Sequence, residues 1–191
     1  PLFKILENLR YDSSEYVRRS VANNLNDISK DHPDVLMSFV KKWKGVSKET
    51  DWLLKHASRT LLKKGDSTTL ALFGLDSSGL EVSDFKVDTP LVNIGERVSF
   101  SFILKNKING TKRVRLEYAI YFMLKNGKQS KKVFKISEKD IGKGYNERVL
   151  RTHSFRFITT RTYYPGEHKV SVIVNGKESE HLSFDYILLG N

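Results

Sequence analysis

Cysteine is absent from this 191-residue chain, which excludes disulfides and thiolate metal sites. Its five histidines stand at scattered positions and make no metal-ligand spacing, so neither a metal nor another cofactor is expected. No apolar run approaches the roughly 18 residues that a membrane span needs, and no charged-then-apolar signal segment opens the chain. A cytoplasmic protein with no membrane partner is the expectation. Equally missing are a Walker-type phosphate loop, a Gly-x-Gly-x-x-Gly turn and a Gly-x-Ser-x-Gly nucleophile turn. Any catalysis must rest on carboxylate, arginine and tryptophan.

What the chain has in excess is positive charge. Its net charge of +11 attracts polyanions, either nucleic acid or an acidic membrane surface. Residues 1–75 hold 13 basic and 9 acidic residues, a balance of +4; residues 76–191 hold 20 and 13, a balance of +7. Both parts are basic, which suits one continuous polyanion better than two unrelated partners. The plain alternative is a basic protein with no particular polyanion to bind. With 39% apolar residues the chain has enough to build packed cores.

Hydrophobic periodicity divides the chain. Residues 1–75 read as helices with short breaks. Leu2, Phe3, Ile5, Leu6 and Leu9 give a short apolar helix, and Ser13-Ser14-Glu15 signals the start of the next. Val17, Val21, Leu25 and Ile28 recur on it as one buried stripe. Asp31-His32-Pro33-Asp34 breaks that helix, Ser47 caps a later one with Leu54, Ala57 and Leu61 on its inner side, and Lys64-Gly65-Asp66 ends it. Paired helices of about 12 to 18 residues match the hairpins of HEAT-type arrays, of which about two are present where at least three are usual. The chain opens on Pro1 in what reads as mid-domain helix, and a piece of a longer array is expected.

After a linker at 76–79 the period becomes two. Val98 to Leu104, Val114 to Leu124, Val170 to Val174 and Leu182 to Leu188 alternate apolar and polar residues, while Asn126-Gly127 and Asn175-Gly176 signal tight hairpins. About seven strands over residues 80–191 fit an immunoglobulin-like sandwich. The expected fold class is therefore α + β and multidomain: the C-terminal part of an α-helical HEAT-like solenoid, then an immunoglobulin-like β-sandwich.

Three groups of residues could carry chemistry. On the helix after Ser14, Arg19, Asn23 and Asp27 fall at four-residue steps and stack along one side, flanked by Arg18 and Asn26. Such a face is often merely solvated, yet this one mixes amides with an isolated carboxylate. After Ser47, Trp52, His56, Arg59 and Lys63 share one side, a set suited to phosphates and sugars; the alternative makes Trp52 core and His56 a surface imidazole. In the sandwich, Arg113 and Arg115 project opposite Val114 and Leu116, with Lys131, Lys132, Lys135, Arg148, Arg151 and Arg156 on later strands. Scattered solubilising charge is the alternative for each.

The stretch Tyr16-Val-Arg-Arg-Ser-Val-Ala-Asn-Asn-Leu-Asn-Asp-Ile-Ser-Lys-Asp-His-Pro-Asp34 resembles the last repeats of the HEAT-like DNA alkylation repair glycosylases. So does Thr50-Asp-Trp-Leu-Leu-Lys-His-Ala-Ser-Arg-Thr-Leu-Leu-Lys-Lys-Gly-Asp66. An appended immunoglobulin-like domain is similar to the AlkC branch of that family. The resemblance implies a monomer acting on double-stranded DNA that contains alkylated bases. It implies excision of cationic bases without the full extrusion usual for glycosylases. A cationic base is already a good leaving group, so a carboxylate that stabilises an oxocarbenium-like sugar and places a water suffices. On this resemblance Asp27 is the candidate carboxylate, and Arg19, Asn23 and Trp52 hold the backbone. Earlier repeats of the family contribute further active-site residues, another acidic one among them, that this chain lacks. The competing expectation is a non-catalytic adaptor binding DNA or protein, with Asp27 locked in a salt bridge to Arg18 or Arg19.

Overall fold

The computed structural model describes residues 2–159 and 161–187 and divides into two compact units, Pro1–Leu75 and Asp76–Asn191. Pro1 and Leu188, both named above, lie outside the described residues.

Six helices build the first unit: α1 Leu2–Leu9, α2 Glu15–Ile28, α3 Pro33–Trp43, α4 Lys48–Ala57, α5 Arg59–Lys64 and α6 Ser67–Leu72. Local chemistry sets their ends. The Asp12 side chain accepts the Ser14 N–H at 2.8 Å ahead of α2, while Ser14 itself makes no side-chain cap. Pro33 opens α3, where a missing N–H costs nothing. The Ser47 hydroxyl accepts the Thr50 N–H at 3.1 Å, and the Asp66 carboxylate accepts the Thr69 N–H at 2.7 Å. Gly65 takes φ 75° after α5, which lets the Asp66 N–H reach Leu61 O at 3.1 Å. Val21, Leu25, Leu36, Val40, Trp43, Leu53, Leu54 and Ala57 bury one side of α2, α3 and α4 in a common core.

The expected HEAT-like helical solenoid followed by a sandwich is corrected by these elements. Among the described residues only α2, at 14 residues, reaches the length of an array helix; the others run from 6 to 11. Among the described residues nine strands accompany the six helices, and the chain is a small α+β fold. One cause is local: the stretch read as a single helix after Ser47 is broken at Ser58. The buried Ser58 hydroxyl donates to Leu54 O at 2.8 Å, competing with the backbone for that carbonyl, a bond that bends helices.

The second unit contains β1 Leu80–Val87, β2 Leu91–Asn93, β3 Arg97–Asn106, β4 Lys112–Met123, β5 Gln129–Ile141, β6 Asn146–Ser154, β7 Gly166–Val174, β8 Lys177–Glu178 and β9 Leu182–Ile187. One sheet runs β1-β3-β6; the other runs β2-β9-β7-β4-β5, with β8 on β7. β2 joins β9 in parallel. The alternating sets Val98–Phe100–Phe102–Leu104 and Val114–Leu116–Tyr118–Ile120–Phe122 meet Val170, Val172, Phe184 and Tyr186 in one core between the sheets. Leu124 falls past the end of β4, because Gly127 N–H turns back to its carbonyl at 3.0 Å. Asn175 and Gly176 both take positive φ, 47° and 79°, as a two-residue hairpin of matching twist requires.

Two histidines sit among the core aromatics. His153 stands 3.0 Å from the Tyr118 hydroxyl through Nδ1, its ring is 4.7 Å from that of Phe134, and its Nε2 is buried without a partner. His168 is fully buried; its Nε2 donates to Tyr164 O at 3.0 Å and its Nδ1 accepts the Met123 N–H at 3.4 Å. Burial holds both below the ordinary histidine range, His153 at about 4.

Candidate nucleic-acid interface

α2 and α4 present the polar face read from the sequence. With Val21 and Leu25 buried, the helical repeat turns Arg19, Asn23 and Asp27 outward, and all three are exposed. On α4, Trp52 and His56 stand one turn apart and stack at 5.3 Å with 13° between their planes. The Arg19 guanidinium lies 5.8 Å from the Trp52 ring. His56 Nε2 donates to Asn23 Oδ1 at 3.1 Å. Arg19, Asn23, Trp52 and His56 thus form one cluster spanning two helices, and Trp52 remains 40% exposed.

The other residues of the set stand differently. Arg59 begins α5 beyond the Ser58 break and donates to His56 O at 2.9 Å, so it supports the cluster from behind rather than extending a single helix face. Lys63 is exposed further along α5. Arg18 is half-buried and spends its guanidinium on Asp12 O and Ser13 O, at 2.7 and 2.8 Å, clamping the turn before α2. Asn26, read as part of the outward face, is buried, and its Oδ1 accepts the Thr60 N–H at 3.2 Å.

Asp27 pairs with Lys30 at 2.7 Å, one turn on along its own chain, and not with Arg18 or Arg19. Arg19 pairs instead with Glu15 at 2.6 Å. Exposed ion pairs of this kind contribute little and exchange readily with other partners. The hydrogen bond from Lys30, then its charge, and the charge of Arg59 hold the Asp27 carboxyl below its usual range, so it is ionised at neutral pH. His56 is also held low, first by burial and then by the charges of Arg59 and Arg19. It is neutral at pH 7, with its Nε2–H committed to Asn23. Beside Trp52 lies a shallow depression of about 270 Å³ lined by Glu15, Arg18, Lys48 and Glu49. An exposed indole with a guanidinium beside it and an amide–imidazole pair behind it can stack on a sugar or base and bind a phosphate.

In the second unit Arg113 and Arg115 are engaged in ion pairs. Arg115 is 5% exposed; its guanidinium lies 2.6 Å from Glu117 and 3.5 Å from Glu138. Arg113 pairs with Asp140 at 3.2 Å and Glu138 at 3.5 Å. Alternation alone turned both outward. The β4–β5 register sets Glu138 opposite Arg115 and Asp140 opposite Arg113, and cross-strand pairing of that kind is invisible in one strand's pattern. For either arginine to take a phosphate, these pairs must open first. Sequence reading also passed over Tyr16, which is 80% exposed on α2; an aromatic beside an apolar stripe carries no signal of its exposure.

Residues 81–187 match the family described as the C-terminal Ig-like domain of the uncharacterised protein YhaZ. The chain is 45% identical over 185 residues to the uncharacterized protein YhaZ of Bacillus subtilis (strain 168), a match covering 96% of this chain and 51% of that one. Among solved structures it is similar to the Pseudomonas fluorescens alkylpurine DNA glycosylase AlkC bound to DNA containing an abasic site analog. The TM-score is 0.91 at 36% identity, covering 97% of this chain and 52% of that one. The chain spans about half the length of the relatives it matches.

Proposed function

Since this chain belongs to the YhaZ family by its C-terminal Ig-like domain, we propose that it is the duplex-binding part of a DNA alkylation repair glycosylase, a DNA N-glycosylase for cationic N-alkylated bases. The observation that carries the reading is the exposed Trp52 with Arg19 beside it and the His56–Asn23 pair behind it. The likeness to a DNA-bound alkylpurine glycosylase across nearly all of this chain supports it.

In this reading Arg19, Trp52 and His56 hold the sugar-phosphate backbone. Asp27, one turn beyond Asn23, supplies a negative charge to the oxocarbenium-like sugar as the base departs, without full extrusion of the nucleotide. The low pKa of its carboxyl suits that task, because an ionised group is present throughout the neutral range. A cationic base leaves as a neutral one, so no strong acid is required. Arg18 on α2 and Arg59 and Lys63 on α5 add positive potential.

One observation favours a second reading, a non-catalytic adaptor that holds DNA or protein: Asp27 has a partner in Lys30. The two readings part in single-turnover excision of a cationic alkylated base by a full-length protein carrying this chain, compared with its Asp27→Asn variant. An adaptor excises nothing in either form.

A further inference from the structure

Among the described residues, β1 and β6 border the smaller sheet and β2 and β5 the larger, with the two-residue β8 at a further edge on β7. An open sheet edge accepts strands from elsewhere, and proteins guard edges with bulges, shortness or charge. β6 carries charge at Glu147, Arg148 and Arg151, while the other edges are bulged or short. β1 shifts register between Ser83 and Lys86, where Asp84 takes φ 50°. β5 has a bulge opposite the Leu116–Glu117 step and carries Lys131, Lys132, Lys135 and Lys139. β2 is three residues long. β6 has neither bulge nor proline: its nine residues pair with β3 from Arg97↔Ser154 to Lys105↔Asn146 without a shift, and the central one, Leu150, is 61% exposed.

The backbone groups that face outward can be identified. At one end of the ladder the Asn106 N–H donates to Tyr145 O at 2.9 Å; at the other the Phe155 N–H donates to Glu96 O at 2.8 Å. Directly opposed antiparallel residues alternate between bonded and non-bonded pairs. Odd-numbered residues from Tyr145 to Phe155 therefore spend their backbone groups on β3. The N–H and C=O of Arg148, Leu150 and Thr152 point the other way.

Beside this edge the sandwich is open. A slot of about 280 Å³ between β5 and β6 has Leu116, Ile136 and Val149 along it and Lys139, Arg148 and Arg151 among its charged residues. The acid of the slot, Glu147, is engaged by the Tyr145 hydroxyl at 2.6 Å. Among the described residues, neither Arg148 nor Arg151 has a carboxylate at ion-pair distance; Arg148 donates instead to the Ser101 hydroxyl at 3.3 Å.

We propose that β6 is a docking edge for an extended acidic segment of a partner protein, which adds as a fourth strand to the β1-β3-β6 sheet. Main-chain bonds to residues 148, 150 and 152 supply affinity; alternate side chains of the incoming strand enter the slot beside Arg151 and Lys139, and those between them lie on the outer face beside Arg148. The proposal does not depend on glycosylase activity and uses none of the residues assigned to it.

The test titrates the whole chain with a fluorescent peptide of alternating glutamate and valine and a matching one of lysine and valine. The acidic peptide binds, the basic one does not, and amide exchange slows at residues 148–152. Leu150→Pro removes an outward N–H while sparing the β3 ladder; it keeps the melting temperature and weakens the acidic peptide about tenfold. Should that variant unfold, Arg151→Glu serves in its place and shifts preference toward the lysine peptide. Equal binding of both peptides, protection confined to other strands, or affinity unmoved by either variant overturns the proposal. So does a Leu150→Pro variant that loses duplex DNA while no peptide binds, which gives the edge to nucleic acid.

Discussion

Asn26 receives the backbone N–H of Thr60 on its side-chain oxygen at 3.2 Å, and so ties the turn that carries Asp27 to the first turn of α5. The N–H groups at a helix start have no partner within the helix, and Ser58 at the head of α5 offers no side-chain cap. Asn26 takes that role from another helix.

Asn26→Ala is therefore expected to destabilise the chain by about 1–3 kcal/mol, the usual cost of leaving a buried donor unsatisfied. Urea unfolding with an unchanged m-value would register it. A midpoint equal to wild type would mean that water reaches Thr60 and the tie is dispensable.

Duplex DNA binding should be steeply salt-dependent, because both units are basic. Log affinity should fall against log salt with a slope of about −0.9 for each phosphate engaged, and several are expected. Trp52→Ala should weaken binding with little change in that slope, since it removes a ring and not a charge; Arg19→Ala should reduce the slope. Titrations at several salt concentrations decide the matter, and a flat dependence removes nucleic acid from the account.

Asp27→Asn keeps the shape of the side chain and removes its charge. In a full-length protein carrying this chain, single-turnover excision at saturating protein should fall by about 10²–10³, the usual loss for a group that stabilises transition-state charge. Folding should be nearly untouched, because the Asp27–Lys30 pair is exposed. Wild-type excision in this variant would assign the carboxylate to the surface.

Acid should destabilise the sandwich before its carboxylates titrate. His153 and His168 are neutral in the folded chain, and the unfolded chain protonates its histidines near the ordinary 6.5. Between pH 6.5 and about 4 the unfolded state therefore binds more protons. The histidine contribution is complete above that window and is lost as pH falls through it. Melting temperatures at pH 7 and 4.5 should differ less in His153→Phe than in wild type; an equal drop in both would place the acid sensitivity elsewhere.

Much of this was legible in the residues. The alternation of Val98 through Leu104 announces an inward face because a strand's side chains have a period of two, and Pro33, Ser47 and Gly65 mark helix ends by chemistry that acts within a turn. Interactions that cross between elements were not legible. Asn26 and Asn23 look alike on a helical projection, yet one meets Thr60 in the interior and the other His56 at the surface. Arg115 looks as free as Arg148 until the β4–β5 register brings Glu138 opposite it. The break at Ser58 came from a single hydroxyl taking a carbonyl four residues back, and it splits the long helix expected after Ser47.

The parallel pairing of β2 with β9 sets a limit on when the sandwich can close. Leu91 finds its partner in Asp185, 94 residues later. At ribosomal rates that stretch takes on the order of 5–20 s to emerge. Until then Val92, fully buried in the finished sandwich, lacks its neighbour on β9. Loop closure over such a distance is the slow kind of pairing, so the larger sheet cannot take in β2 until β9 has arrived.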